Sequence, residues 1–141
     1  MLRGIPGCIS PDLMHALMSM GHGDEIALVD ADFPAATHSR RLIRADGVEL
    51  VSLLEAILPF FPLDSFVEQP VVAMDWHDWS DTEPSTYQRC RETLSKHSDR
   101  FTDYALTKRY DFYTRASEAY AVVITAEADG NLILKKAPVM I

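Results

Sequence analysis

The stretch SPDLMHALMSMGHGDEIALVDADFP, residues Ser10–Pro34, holds a helix, a break and a strand in immediate succession, and this order sets the fold class. Ser10 can accept bonds from the first free amides of a helix, Pro11 suits the first helical position, and Gly21 suits the stop. Leu13, Met14, Leu17 and Met18 recur at helical spacing and give one apolar face. After the break His22-Gly23, the run EIALVD is short, apolar and flanked by polar residues, as a buried strand is.

The same alternation continues outward. ADGVELVSLLEAILPFFPLD predicts a second helix capped by Asp46, with Val51, Leu54, Ile57, Leu58 and Phe61 on one stripe and Pro59 and Pro62 closing it. PVVAMDW reads as a strand, HDWSDTEP as a loop and TEPSTYQRCRETLSKH as a more polar helix lying on the surface. YALTKRY predicts a strand and DFYTRASEA a short helix capped by Asp111. YAVVITAE and NLILKK are β-rich runs, and Asp129-Gly130 between them is a short-range hairpin signal. The expectation is a single α/β domain over residues 1–141, a mixed β-sheet with flanking helices that ends in a β-hairpin.

Composition narrows the function. The 141 residues carry a formal net charge of −8, a field that repels phosphate backbones and anionic membranes. Nucleic acid and membrane are therefore not expected partners. Arg40–Arg44, RRLIR, reads as a solvated strand edge or oligomer contact before an anion site. Cys8 and Cys90 match no metal or redox spacing and are too few for a disulfide scaffold, which points to a reducing cytoplasm. The N-terminal MLRGIPGCIS lacks the apolar core of a signal peptide, and no apolar run approaches the ~18 residues of a membrane span. A soluble cytoplasmic protein is expected.

Chemistry concentrates at the break. A free imidazole titrates near ~6.5, so an accessible His22 can give or take protons at neutral pH, and its flanking glycines let a substrate approach. The alternative role is a cap against the C-terminal dipole of the preceding helix. Asp30 and Asp32 close the following strand, where open α/β sheets place ligands, although on the residues alone a turn aspartate capping nearby amides is the simpler account of Asp30. Eight extended residues from His22 to Asp30 span about 26 Å, so either the glycines fold the His22 loop back or another chain completes the site. His22, His38 and His77 do not fall at a metal-ligand spacing, and no phosphate-cradling loop or nucleophile elbow is present. Trp76 and Trp79 either stack on a sugar face or fill a subunit interface.

Taken together, SPDLMHALMSMGHGDEIALVDADFP, IRADG, LLEAILPFFPLDSFVE, FYTRASEAYAVVIT and GNLILKK resemble, in order and over nearly the whole chain, the fucose mutarotase branch of the ribose-pyranase/fucose-mutarotase family. The resemblance implies an RbsD-like fold and an enzyme that interconverts the α and β anomers of L-fucose without a cofactor or metal. It further implies a closed homo-oligomer, a decameric ring with sites at subunit interfaces. By the same resemblance His22 is the proton donor, and Asp30, Asp64, Arg109, Tyr113 and Asn131 bind substrate, Asn131 reaching a neighbouring subunit's cleft. The base stays open among Tyr113, Asp30 and a bound water. Neighbouring readings are a ribose pyranase, exchanging pyranose and furanose forms, and a non-catalytic monosaccharide-binding protein. One departure stands out: relatives carry a tyrosine before the terminal Gly-Asn, after a longer turn, where this chain has Asp129. Aspartate offers neither a stacking face nor a phenolic hydroxyl, which bears on sugar preference or catalytic efficiency.

Overall fold

The computed structural model describes all 141 residues. Helix α1, Pro11–Ser19, starts where Ser10 Oγ accepts the Leu13 N–H at 3.1 Å. Strand β1, Glu25–Val29, follows the break, and Gly23 makes the turn into it at φ +86°, a backbone conformation that a side chain would strain. Then come β2 (Leu42–Arg44), α2 (Leu50–Ile57) running into a 3-10 turn at Leu58–Phe60, β3 (Val71–Met74), α3 (Ser85–His97), β4 (Ala105–Thr107), α4 (Arg109–Glu118), β5 (Ala121–Ile124) and β6 (Leu132–Lys135).

The six strands form one mixed sheet in the order β2-β5-β1-β6-β3-β4. β1 pairs in parallel with β5, β5 with β2 and β3 with β4, while β6 runs antiparallel to both β1 and β3. Five strands therefore point one way and β6 alone is reversed. Apart from the half-buried Glu25 and Lys135 paired at one end of β1 and β6, the central strands are apolar because both faces are covered. Ile26 and Leu28 of β1 join the larger core with Leu13 and Leu17 of α1, Leu50, Leu53 and Leu54 of α2, and Tyr87, Cys90 and Leu94 of α3. Ala27 and Val29 face the smaller core with Phe112 and Ala116 of α4. The result is three helices on one face of the sheet and one on the other.

The mixed α/β sheet with flanking helices is as expected, and the last three residues of RRLIR form the edge strand β2, with Arg40 and Arg41 in the bend before it. The terminal hairpin is not there. β5 and β6 flank β1 and do not pair with each other. A two-residue hairpin loop of the common primed types needs positive φ, and Gly130 is not among the positive-φ glycines. The connection from Thr125 to Asn131 instead passes over the end of β1. Two caps also differ. Asp46 stands in a turn with Gly47 at φ +76° and engages Arg44, so α2 begins at Leu50 behind Glu49. Asp111 is in the first turn of α4 behind Lys108. Met18 is exposed and leaves the apolar face of α1 to Leu13, Leu17 and the partly buried Met14. Gly21 is not the helix stop; α1 ends at Met20 in extended conformation.

Candidate active site

Because five strands run in parallel, their carboxyl ends collect at one edge of the sheet, the place where open α/β sheets hold ligands. A cavity of about 230 Å³ opens there, formed by Asp30 and Asp32 after β1, Met74 at the end of β3, Arg109 and Tyr113 of α4, and Asn131 at the start of β6. Phe33, Trp79 and Asp129 complete its lining. Drug-sized ligands occupy pockets of about 300–1,000 Å³, so this one suits a smaller guest.

Asp30 is the most constrained group in the cavity. Its backbone N–H donates to Asn131 Oδ1 (3.0 Å), and its carboxylate accepts from Asn131 Nδ2 (2.9 Å), Gly130 N–H (3.3 Å) and Asp32 N–H (3.2 Å). Burial at 8% exposure raises its pKa above the ordinary aspartate value; those hydrogen bonds oppose the rise and nearby Asp129 adds to it. The turn bond to Asp32 anticipated from sequence exists, together with a role in the cavity wall. Asn131 is buried in the same protomer's wall at 5% exposure, with its backbone N–H on the Tyr87 hydroxyl (3.0 Å). Its amide is engaged by Asp30, which is where the structure places it.

Arg109 and Tyr113 project from the first two turns of α4. Tyr113 packs edge-on to Phe33 and stacks on His38, with ring centroids 5.1 and 5.0 Å apart. The loop carrying Trp79 is pinned by Asp75. That carboxylate accepts from the His77 N–H (2.9 Å), the His77 ring and Lys108 Nζ (3.0 Å), which holds it well below the usual carboxylate range. Lys108 precedes Arg109, so Asp75 ties the Trp79 loop to the start of α4. Of the two tryptophans, Trp76 is buried against Tyr87 and Trp79 is the one in the cavity.

His22 lies elsewhere. Gly23 N–H donates to the Lys136 carbonyl and Asp64 N–H to the Lys135 carbonyl, which fixes both residues beside the amino end of β1. There His22 Nε2 meets Asp64 Oδ1 at 3.2 Å, the imidazole 44% exposed and the carboxylate 2%. Phe66 packs on the imidazole at 4.9 Å between ring centroids. Burial alone would raise the Asp64 carboxyl, but the Phe66 N–H (3.1 Å) and His22 together bring it below the ordinary value. The glycines do not fold this loop back. Six residue steps of extended chain, about 20 Å, separate Asp24 from Asp30. Asp30, Arg109, Tyr113 and Asn131 share one cavity, while His22 and Asp64 form a pair at the opposite end of the sheet.

Sequence reasoning did not assign Phe33 or Met74 to the wall. Phe33 sits one residue past the aspartates that end β1, and Met74 ends β3, so the carboxyl-end rule was the available signal.

The RbsD / FucU transport protein family model matches residues 3–139. An L-fucose mutarotase of Haemophilus influenzae strain PittGG is 41% identical over 138 residues, covering 96% of each chain. A crystal structure of the fucose mutarotase from Streptococcus pneumoniae in complex with L-fucose superimposes with a TM-score of 0.90 at 42% identity, over 99% of this chain and all of that one. Bacillus subtilis RbsD complexed with D-ribose shares the fold, with a TM-score of 0.72 at 17% identity over 94% of this chain and 95% of that one.

Proposed function

The chain belongs to the RbsD/FucU family, and from that premise we propose that it is an L-fucose mutarotase, an isomerase that interconverts the α and β anomers of the sugar. The observation that carries the reading is the near full-length identity to L-fucose mutarotases, on a chain whose carboxyl-end cavity is sized and lined for one small polyol.

Mutarotation needs little machinery. The anomeric hydroxyl loses its proton while the ring oxygen gains one, the C1–O5 bond opens to the aldehyde, and reclosure on the other face gives the second anomer. Positioned proton transfer contributes typically ~10²–10⁴-fold. His22 delivers the proton to the ring oxygen. Asp64 accepts a hydrogen bond from the imidazole and orients it. Asp30 accepts from sugar hydroxyls and Arg109 donates to them, since charge-assisted bonds are shorter and stronger than neutral ones. Trp79 offers an aromatic face to the C–H side of the ring. Asn131 acts through Asp30, by holding its carboxylate. The base is Tyr113, Asp30 or a bound water.

With His22 and Asp30 at opposite ends of β1, one sugar meets both only where two copies meet. The working form is therefore a closed homo-oligomer, a decameric ring with its sites between subunits. Exposed Phe66 beside His22, the open edges β2 and β4, and the apolar tail Val139–Ile141 support this assembly. The reaction belongs in a reducing cytoplasm, where Cys8 and Cys90 stay free thiols.

Saturation-transfer NMR on L-fucose and D-ribose tests the assignment. Faster anomer exchange of fucose is expected. Acceleration with ribose alone would make the protein a pyranase, and saturable fucose binding at the buffer exchange rate would make it a binding protein.

A further inference from the structure

Glu127 does not line the cavity, yet its side chain is only 11% exposed and two helices converge on it. Its Oε2 accepts the Leu50 N–H at 3.2 Å and its Oε1 accepts the Thr86 hydroxyl at 3.2 Å, with Arg89 Nη2 at 3.9 Å. Leu50 opens α2 and Thr86 lies in the first turn of α3. Neither helix has a side-chain cap from its own N-cap residue, Glu49 or Pro84. Glu127 supplies negative charge to both starts from 77 and 41 residues away.

The main chain of Glu127 points the other way, toward the cavity wall. Its carbonyl accepts the Ala31 N–H at 2.9 Å, between Asp30 and Asp32, and its N–H donates to Thr125 Oγ1 at 3.2 Å. Three residues later Gly130 sits against the same two helix starts. A Cβ there would lie 2.9 Å from both Leu50 Cδ2 and Thr86 Cγ2. The turn is seated in a notch between α2 and α3, with its carboxylate bound to both walls of the notch and its far face bonded to Asp30.

We propose that Glu127 is a positioning residue for substrate binding: by clamping the 125–131 turn into the α2/α3 notch it holds Gly130 and Asn131 against the Asp30 carboxylate and sets where Asp129 stands. The proposal rests on reading the carboxyl-end cavity as the sugar site. His22 and Asp64, at the other end of β1, are outside its reach. With Tyr113 or a bound water as the base, loss of the clamp therefore weakens sugar binding and leaves proton transfer to and from bound sugar largely intact. A plain helix cap would change stability and nothing else.

The test is the concentration dependence of L-fucose anomer exchange for Glu127→Ala, Glu127→Asp and Glu127→Gln, with Glu55→Ala, on the exposed side of α2, as control. Glu127→Ala is expected to raise KM about tenfold, with kcat within about threefold of wild type. Glu127→Asp, too short to reach both helices, shows the same split and serves if the alanine variant does not fold. Glu127→Gln restores KM to within about threefold, because its amide oxygen accepts from Leu50 and its amide nitrogen donates to the Thr86 hydroxyl. NMR signals of the Gly130 N–H and the Asn131 side-chain amide move in the alanine and aspartate variants and return in the glutamine variant. Unchanged KM and signals in the first two variants overturn the proposal, as does a loss of activity that only follows the loss of folded protein. If the wild type itself leaves fucose exchange at the buffer rate, the mutarotase reading fails, and the Gly130 and Asn131 signals still decide the role of Glu127.

Discussion

Gly130→Ala isolates one steric contact. Carbon atoms in good contact are about 3.5–4.0 Å apart, and the new methyl would stand 2.9 Å from Leu50 Cδ2 and from Thr86 Cγ2. Leu50 is fully buried and Thr86 nearly so, so neither side chain has free space to enter. Overpacking of this kind costs about 1–3 kcal/mol. For 141 residues, an unfolding entropy of about 2.1 cal/mol/K per residue turns that cost into a Tm drop of about 3–10 °C. Gly130 is not at positive φ, so backbone strain adds nothing and the whole effect is contact. Thr86→Ser removes one of the two clashing methyls and keeps the hydroxyl that Glu127 holds. Thermal melts of the two single variants and the double variant, at one protein concentration, should therefore show the serine rescuing part of the alanine's loss, a coupling of about 0.5–1.5 kcal/mol. A Tm for Gly130→Ala within about 1 °C of wild type, or strictly additive effects, would refute the notch geometry.

Three further outcomes are expected. Since, against the effect of burial, the Asp64 pKa is lowered in the folded state by the Phe66 N–H and His22, the carboxylate with these partners contributes stability above the unfolded value of about 3.9, and that stability is lost as pH falls through the folded value; melts on acidification should be flatter for Asp64→Asn than for wild type. The Asp30 pKa is raised, by burial first and by Asp129 least, so KM for L-fucose should rise, as pH falls, at a higher pH than a free aspartate's ~3.9; Asp129→Asn should move that limb slightly down, and an upward move would contradict the charge coupling. Trp79→Ala should raise KM about two- to twelvefold, from the loss of about 0.5–1.5 kcal/mol of ring contact, with kcat nearly unchanged in exchange kinetics.

Local signals carried the parts of this protein that are locally determined. Ser10 and Pro11 start α1 with atoms a few residues apart, and the apolar EIALV run needs both faces of a sheet covered wherever it lies. His22 between two glycines read as an exposed group because nothing on either side could shield it. Pairing order is a different matter. Asp129-Gly130 carries hairpin chemistry, but β1, which β5 and β6 both pair with better, comes between them from about 100 residues earlier in the chain, and no nearby residue signals that. Asp46 looked like a cap because aspartates cap helices, yet Arg44 two residues back takes its carboxylate. Glu127 was invisible for the same reason as the strand order, since its partners are Leu50 and Thr86. The distance from His22 to Asp30 was legible in the length of the strand between them, and the conflict it created left two answers, a loop folded back or a second chain.

That conflict also supplies the most direct test. His22→Ala and Asp30→Ala, each expected to leave L-fucose exchange near the buffer rate, should be unfolded together, refolded as a mixture, shown by mass to form mixed assemblies, and assayed by saturation-transfer NMR. If each site takes His22 from one copy and Asp30 from another, random mixing leaves about a quarter of the sites with both groups intact, and about a quarter of the wild-type rate returns. Mixed assemblies that stay at the buffer rate would contradict a site divided between copies.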